Sequence, residues 1–358
     1  MPTSLCADGG VDAALDLTQT PSAADVLGYH GLLVALDHAE GDTLYVYDLT
    51  SGELRQLSDE IACRGAKISP DGTRVVYHQG GMLRRRALAG GPSEALVAGY
   101  DGHWWLDDAG EEWIYYTTMG DDPKDVWRRV LWPQGLGITT RRRRLRDGRD
   151  EHVLDWKASG GPSPDGTHLA GGYATVVVFD AAQEPHFLNG GEQGCNTSLS
   201  PDERYLLMFF PDLAHQRIAM VNIQDQLLWE LSVPFGVVRW ENPDWSNHPR
   251  FAVTSGLAGH GYASVYVVAL PVVLDGSPPQ EQDLVQLLDA RQGNHDWREP
   301  TLWVDWRHPP TISPSADSGA PEVPRSNSNG CRLVGETMGA SPLLTLLLAL
   351  IVWRRRRV

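Results

Sequence analysis

Short runs of apolar residues separated by polar segments cover most of the chain from residue 27 to residue 307. The pattern is clearest at residues 73–78, 205–210, 218–223 and 227–231, where apolar side chains form the centre of each run. Runs of four to eight residues bounded by turn-forming residues are typical of β-strands, whereas an amphipathic helix needs a longer stretch. The pattern therefore predicts an all-β fold.

A recurring Ser-Pro-Asp-Gly sequence, which we call the turn tetrapeptide, precedes several of these strands. It occupies residues 69–72 and 163–166, a variant ending in Glu occupies 200–203, and eroded copies lie at 107–110 and 246–249. Proline presets φ at the second turn position, Asp is tolerated at the third and Gly is favoured at the fourth. Successive copies begin 37 to 56 residues apart, a spacing typical of β-propeller blades.

The two ends of the repeat region complement each other. Three predicted strands, at residues 31–36, 43–49 and 54–57, begin the region without an inner strand before them, and a single strand at 301–305 ends it. A propeller blade contains four antiparallel strands, so the last strand can complete the first blade. The sequence predicts a six-bladed β-propeller closed by pairing of the C-terminal strand with the N-terminal blade.

The repeats resemble those of the TolB-like propellers, which are built from PD40 (WD40-like) repeats. The resemblance rests on residues 69–72, 163–166 and 200–202, and it covers residues 27–307. The third and sixth blades depart from it because their turn tetrapeptides are degraded. The resemblance implies a fold that hosts binding proteins, scaffolds and enzymes, so it does not by itself imply an activity.

Charge and cysteine content exclude several classes of function. The formal net charge of -16 argues against nucleic-acid binding, which needs an excess of Lys and Arg. We expect the basic clusters at 84–86 and 141–144 to mark outer strands whose charges discourage edge pairing. The four cysteines have no Cys-x-x-Cys spacing, which argues against a zinc knuckle or a redox site. No cofactor is expected.

The C-terminal part of the chain has a distinct composition. Residues 308–330 are rich in Ser, Pro and Ala and predict a disordered linker. Cys331 follows, then a polar run, an apolar stretch at 343–353 that predicts a short hydrophobic helix, and four arginines at 354–357. This order resembles the MYXO-CTERM sorting tail of myxobacterial envelope proteins. The resemblance implies processing or anchoring at Cys331 and contact with the membrane through the C-terminal tail.

The N-terminus does not match that expectation, because residues 1–25 contain no Lys or Arg and no apolar core of a signal peptide. Two explanations stay open: a start codon placed too far downstream, which we favour, or a tail that acts as a simple anchor. The predicted organisation is an N-terminal extension at 1–26, a propeller at 27–307, a linker at 308–330 and a sorting or anchor segment at 331–358.

Propellers present ligand sites at the mouth of the central channel, where the loops leading into the inner strands converge. In this chain those loops combine Trp with carboxylates, amides and His, which suits recognition of a protein, a peptide or a glycan. The candidate ligand-binding residues are Asp101, His103, Trp104, Asn196, Asp244, Trp245, His295, Asp296 and Arg298.

The preferred function is therefore a non-catalytic monomeric propeller on the cell envelope or cell surface that binds its partner through one face. No nucleophile elbow, Walker loop or His-Glu-x-x-His motif is present in the sequence. The alternatives are a periplasmic scaffold in the manner of the Tol system, or a secreted or surface polysaccharide lyase or hydrolase. The enzyme alternative requires at least three of six side chains to share one pocket, because a metal site also needs three or four converging ligands. The six side chains are those of Asp101, His103, His248, His260, His295 and Asp296.

Overall fold

The computed structural model describes residues 27–118, 138–171, 176–188, 195–202, 207–270 and 283–307. The predicted N-terminal extension, linker and sorting segment, including Cys331, lie outside the described residues. The strands, numbered in chain order, are β1 (Gly31–Asp37), β2 (Thr43–Asp48), β3 (Leu54–Gln56), β4 (Arg64–Ile68), β5 (Arg74–Gln79), β6 (Met82–Ala87), β7 (Glu94–Ala98), β8 (Tyr100–Leu106), β9 (Glu112–Thr118), β10 (Thr139–Arg144), β11 (Asp150–Leu154), β12 (Gly161–Pro162), β13 (Leu169–Gly171), β14 (Val177–Phe179), β15 (Pro185–Phe187), β16 (Cys195–Leu199), β17 (Leu207–Phe210), β18 (Arg217–Val221), β19 (Leu227–Ser232), β20 (Val237–Trp245), β21 (Phe251–Ala258), β22 (Ala263–Ala269), β23 (Leu284–Leu288) and β24 (Trp297–Val304).

The described strands form six four-stranded antiparallel sheets. In five sheets the four strands follow one another in the chain, in the groups β4–β7, β8–β11, β12–β15, β16–β19 and β20–β23. The sixth sheet has the order β24-β1-β2-β3. The prediction of an all-β, six-bladed propeller is confirmed. In the described part of the chain, no helix is long and apolar enough to span a bilayer.

The last strand completes the first blade, as predicted. β24 pairs antiparallel with β1, with Leu302 opposite Leu33 and Thr301 opposite Val34. Leu302 is only 2% exposed and Leu33 is fully buried, so the junction is part of the core. The strand begins at Trp297, four residues before the predicted start. Pro300 lies where the register shifts, and a bulge tolerates a residue without a backbone N–H.

The turn tetrapeptide repeats its hydrogen bonds from copy to copy. The hydroxyl of Ser163 donates to Asp165 at 2.6 Å and accepts from the backbone N–H of His168 at 3.0 Å. Ser69 makes the same two contacts, with Asp71 and with the N–H of Arg74. The sequence pattern was informative because these two copies build the same local structure.

A tryptophan from the preceding blade packs on two of these turns. The indole N–H of Trp303 donates to the carbonyl of Pro70 at 3.0 Å, and that of Trp105 donates to the carbonyl of Pro164 at 3.1 Å. The glycine of the turn makes room for the ring: a Cβ on Gly72 would lie 2.5 Å from Trp303. Adjacent blades are therefore linked at the end of the channel where the turn tetrapeptides lie.

The two basic clusters have a different role from the one expected. They lie in β6 and β10, which are the third strands of their sheets and not the edges. Arg141 contacts Asp150 at 2.6 Å and Arg142 contacts Glu151 at 2.6 Å, so the arginines pair with carboxylates on the outermost strand, β11. The prediction that these charges discourage edge pairing is wrong, because neighbouring carboxylates neutralise them.

Candidate functional site

Five of the inner strands carry the same irregularity. The pairing register shifts in β4, β8, β16, β20 and β24, so each strand has a β-bulge at the same height in the channel. One residue of each bulge has a left-handed backbone, with φ between 46° and 57°. These residues are Gly65, Asp101, Asn196, Asn242 and Glu299.

The bulges have an energetic cost and a geometric effect. A left-handed backbone costs an L-residue roughly 1–2 kcal/mol, less for Asn and Asp, whose side chains tolerate it. Glu299, with φ of 46°, is the least typical member of the ring. A bulge redirects the side chain beside it, and strained positions of this kind concentrate at functional sites. Here they form a ring at the start of the inner strands.

A cavity of about 240 Å³ lies inside this ring, and we call it the mouth cavity. Its wall is mainly charged and amide side chains. They include Arg64, Lys67, Asp101, His103, Lys157, Asn196, Asn242, Asp244 and Glu299.

Ion pairs between blades hold the wall of the mouth cavity. The ammonium group of Lys157 lies 3.1 Å from Asp101, and that of Lys67 lies 2.7 Å from Asp244. Asp244 also accepts a hydrogen bond of 2.9 Å from the hydroxyl of Ser198. The two contacts of Asp244 join different blades, and that of Lys157 links the loop between β11 and β12 to β8, so the polar groups are positioned before any ligand binds.

The local environment sets the protonation state of three groups in this wall. Burial opposes the charged form of Asp101, but Lys157 and nearby imidazoles outweigh it, so the pKa lies below its ordinary value. Burial raises the pKa of Glu299 above its ordinary value, although the N–H of Gly65 donates to its carboxylate. Burial, assisted by the positive charge of Lys67, lowers the pKa of His103 to about 4. His103 is therefore neutral at neutral pH.

A second cavity, of about 360 Å³, lies at the opposite end of the channel, among the turn tetrapeptides. We call it the Trp cavity, because five tryptophans contribute to its wall. They are Trp104, Trp105, Trp245, Trp303 and Trp306. Lys67, His103 and Asp244 border both cavities and mark the middle of the channel.

The structure separates the candidate residues into three groups. Asp101, His103, Asn196 and Asp244 line the mouth cavity. Trp104 and Trp245 line the Trp cavity at the other end. His295, Asp296 and Arg298 line neither of the two.

The three residues of the last group, His295, Asp296 and Arg298, contact other residues of the fold. The guanidinium of Arg298 lies 2.7 Å from Asp296 and also contacts Glu241. The ring of His295 stacks on Trp297 at 4.6 Å, and its Nδ1 lies 2.5 Å from Asp37. The sequence predicted that His295, Asp296 and Arg298 lie near the mouth of the channel. In the structure their polar groups instead pair with one another and with Asp37 and Glu241.

Sequence reasoning did not select Lys67, Lys157, Asn242 or Glu299 as site residues. The available signal was the distance in sequence from the turn tetrapeptide. Gly65, Asn196 and Asn242 lie four residues before Ser69, Ser200 and Ser246, respectively. The lysines had no comparable signal, because their contacts depend on the relative position of different blades.

The four histidines of the enzyme alternative lie apart. His103 contacts the carbonyl of Ser159 at 2.9 Å within the channel. His248 packs 5.1 Å from Tyr29, and His260 lies beside Tyr262 in an exposed turn. Of the six side chains that this alternative requires, only Asp101 and His103 share the mouth cavity. The grouping of three that the enzyme alternative requires is not found among these six side chains.

One group of side chains has the spacing of cation ligands. Carboxylate oxygens of Asp37 and Glu40 and a ring nitrogen of His295 lie within 4.8 Å of one another. Each already has a partner: the N–H groups of Ala39 and Asp296 donate to Asp37, and the hydroxyl of Tyr45 donates to Glu40. The arrangement is accounted for by the turn between β1 and β2 and by its contact with the loop before β24, where His295 contacts Asp37.

Comparison with known proteins identifies the fold. No family model matches the sequence, and no curated protein matches it. TolB from Acinetobacter baumannii has a similar structure, with a TM-score of 0.53 and 15% identity over 76% of this chain and 66% of that protein. A TolB candidate from Agrobacterium tumefaciens gives a TM-score of 0.50 and 13% identity, covering 77% of this chain and 98% of that protein. At this identity the likeness concerns the fold alone: the chain has a six-bladed β-propeller fold similar to that of TolB.

Proposed function

We propose that this protein is a non-catalytic binding propeller and that its partner is a protein or peptide that docks over the mouth cavity. The single observation that carries this proposal is the ring of five bulges, which surrounds a polar cavity with side chains fixed in advance. A preorganised polar site favours binding because few groups must be ordered when the partner arrives.

Exposed apolar side chains around the mouth support a protein partner. Ile61 and Phe235 lie in loops that lead into inner strands, and Leu213 and Tyr262 lie in loops between second and third strands. Both types of loop reach the end of the sheet where the inner strands begin. An interface with exposed aromatic and aliphatic residues around polar groups is typical of protein association.

The distribution of tryptophan favours a protein over a glycan at this face. Sugar rings commonly stack on exposed aromatic faces, but the tryptophans of the channel line the opposite cavity. The histidines of the candidate set lie apart, so their positions give the lyase or hydrolase no support. We therefore retain glycan binding only as an outcome that the experiment distinguishes.

The binding experiment uses the full chain and a displayed library of random peptides as the probe. We expect selected peptides to bind about tenfold more weakly to Lys157→Ala and to Phe235→Ala, a loss of about 1.4 kcal/mol each. Leu227→Ala is the matched control, because Leu227 is an exposed apolar residue at the other end of the sheet. Binding that is equal in all three variants contradicts the proposal, and binding to a glycan array instead identifies the alternative ligand.

We also propose that the protein acts as a monomer on the cell envelope or cell surface, held by its C-terminal tail at Cys331. The support is the resemblance of the tail to a sorting signal, together with a propeller fold shared with TolB. Fractionation of the native cells tests this, with Cys331→Ser as the variant. We expect the wild type in the envelope fraction and the variant released, and an identical distribution of both contradicts the role of Cys331.

A further inference from the structure

Most of the charge in the wall of the mouth cavity is cancelled by contacts between its own residues. Lys157 pairs with Asp101. Lys67 pairs with Asp244, which also accepts a hydrogen bond from the hydroxyl of Ser198. Each of the four charged groups therefore already has a partner of opposite sign.

The other charged groups among the described residues of the wall are Arg64 and Glu299. The guanidinium of Arg64 lies 2.7 Å from Asp42 and 3.9 Å from Glu299. Glu299 also accepts a hydrogen bond from the backbone N–H of Gly65. A charged ligand group would enter a wall whose ions are already paired, and burial of an unpaired charge is strongly unfavourable. The mouth cavity therefore favours a neutral group.

Two amide side chains of the wall bond to each other between adjacent blades. Nδ2 of Asn196, in β16, donates to Oδ1 of Asn242, in β20, at 3.2 Å. No described residue bonds to the other two amide atoms, Oδ1 of Asn196 and Nδ2 of Asn242. Rotation of both amides by 180° reverses the bond and leaves the same set. The pair therefore keeps one acceptor oxygen and one donor nitrogen for a ligand.

Both amides are held in place before a ligand arrives. Asn196 and Asn242 occupy left-handed bulge positions, with φ of 55° and 50°, which Asn tolerates better than most residues. The bond between them restrains both side chains, so few rotamers have to be ordered on binding. A preorganised donor and acceptor give specificity, because a ligand group that lacks either one leaves a polar atom of the site unpaired.

A primary carboxamide is the neutral group that completes this pair. It carries a carbonyl oxygen and an NH2 group at the tip of one side chain, so it can accept from Asn242 and donate to Asn196. A main-chain amide has its donor and acceptor on opposite sides, and the chain continues in both directions. The volume of about 240 Å³ is below the roughly 300–1,000 Å³ of cavities for drug-sized ligands, which suits one side chain.

We propose that the mouth cavity recognises a Gln or Asn side chain of the partner, whose carboxamide bonds to Asn196 and Asn242. This recognition rests on the proposed function, and it adds the chemical group that the cavity selects. A Glu or Asp side chain in the same place lacks the donor and brings a charge where the cations of the wall are already paired. The partner should therefore present a carboxamide and not a carboxylate.

Peptides selected against the full chain from the displayed random library are the probe. We expect the peptides that bind at the mouth to share a Gln or Asn at one position. In synthetic copies, replacement of that carboxamide by the matching carboxylate should weaken binding at least tenfold, because a donor is lost and a charge is added. Replacement by alanine gives the reference peptide, which has neither group.

Two protein variants test the contact itself. Asn196→Gly and Asn242→Gly remove the amides and keep the backbone, because Gly65 holds the same left-handed position in another inner strand. Each should weaken the carboxamide peptide about tenfold and leave the affinity of the alanine peptide unchanged, and this non-additivity measures the contact directly. Asn294→Gly is the matched control, since Asn294 has φ of 60° and is exposed outside the mouth cavity.

Two results would overturn this recognition and leave the proposed function intact. One is a set of peptides that respond to Lys157→Ala and Phe235→Ala but bind equally well with a carboxamide or a carboxylate. The other is equal binding of the carboxamide peptide to Asn196→Gly, Asn242→Gly and Asn294→Gly. If no selected peptide responds to Lys157→Ala or Phe235→Ala, the proposed function fails, and the carboxamide site fails with it.

Discussion

Replacing Gly72 by alanine tests whether the turn glycine is required by the tryptophan of the preceding blade. Gly72 has φ of +71°, and a Cβ at this position would lie 2.5 Å from the Trp303 ring. Gly110 is a matched control, since its φ is +74° and an added Cβ would meet nothing within 4 Å. The two positions therefore share the backbone cost of the substitution but not the contact with tryptophan.

The expected magnitudes differ for this reason. An L-residue with a left-handed backbone costs about 1–2 kcal/mol, which is the full effect expected for Gly110→Ala. Gly72→Ala adds an overpacking term of about 1–3 kcal/mol, because the ring must move. Displacement of the ring also weakens the hydrogen bond from Trp303 to the carbonyl of Pro70, worth about 1 kcal/mol. We expect Gly72→Ala to cost about 3–6 kcal/mol in total.

Urea unfolding followed by far-ultraviolet circular dichroism measures both variants, and the midpoint and slope give the change in free energy of unfolding. The same substitution in a Trp303→Ala background should lose the overpacking term, so that the two changes are strongly non-additive. An equal cost for Gly72→Ala and Gly110→Ala, or additive effects of Gly72→Ala and Trp303→Ala, would refute the reasoning.

Three further predictions concern the channel and the core. In the folded protein the pKa of His103 is about 4, below the ordinary value near 6.5, so between these pH values the unfolded state binds a proton that the folded state does not. The free energy of unfolding should therefore fall as the pH drops from 6.5 to 4, by no more than about 3 kcal/mol. The His103→Gln variant should show a weaker pH dependence of its unfolding in this window. Leu302→Ala should lower the free energy of unfolding by about 3 kcal/mol, whereas Leu227→Ala, at an exposed position, should change it by less than about 0.5 kcal/mol in the same urea titration. Cys63 is buried, and burial raises its thiol pKa to about 12, so peptide mapping after iodoacetamide treatment should find Cys63 unmodified in the native protein and alkylated in urea.

The blades could be predicted from the sequence because the signals that specify them are local. A turn tetrapeptide builds its own hydrogen bonds, as Ser163 and Asp165 do, so its presence in the sequence already indicates the turn. The alternation of apolar residues then identifies the strand that follows. Even the closing strand β24 could be inferred, because the first blade lacked an inner strand and the last segment lacked a sheet.

The channel wall could be predicted only in part, because its geometry depends on the register of each inner strand. A bulge shifts the residues after it by one position, which directs Asp101 and Asn196 into the mouth cavity. The tryptophans of the inner strands lie farther along, and so Trp104 and Trp245 reach the opposite cavity. Contacts between blades, such as that of Lys67 with Asp244, have no signal in a single sequence.

His295 illustrates a different limit. Its loop leads into an inner strand, as the sequence indicated, but the ring stacks on Trp297 and contacts Asp37. A polar residue in a loop near a site has several possible partners, and the choice between the site and the core is made by packing. The same reason separates His248 and His260 from the channel.

Hydrogen exchange measured by mass spectrometry tests the closure of the ring, on which both the mouth cavity and the Trp cavity depend. Glu299 and Trp303 line these cavities only because β24 is the inner strand of the first blade. We expect peptides covering β24 to be protected to the same degree as peptides covering β20, an inner strand of another blade. Exchange of β24 at the rate of an unstructured peptide, while β20 stays protected, would contradict the closed six-bladed ring.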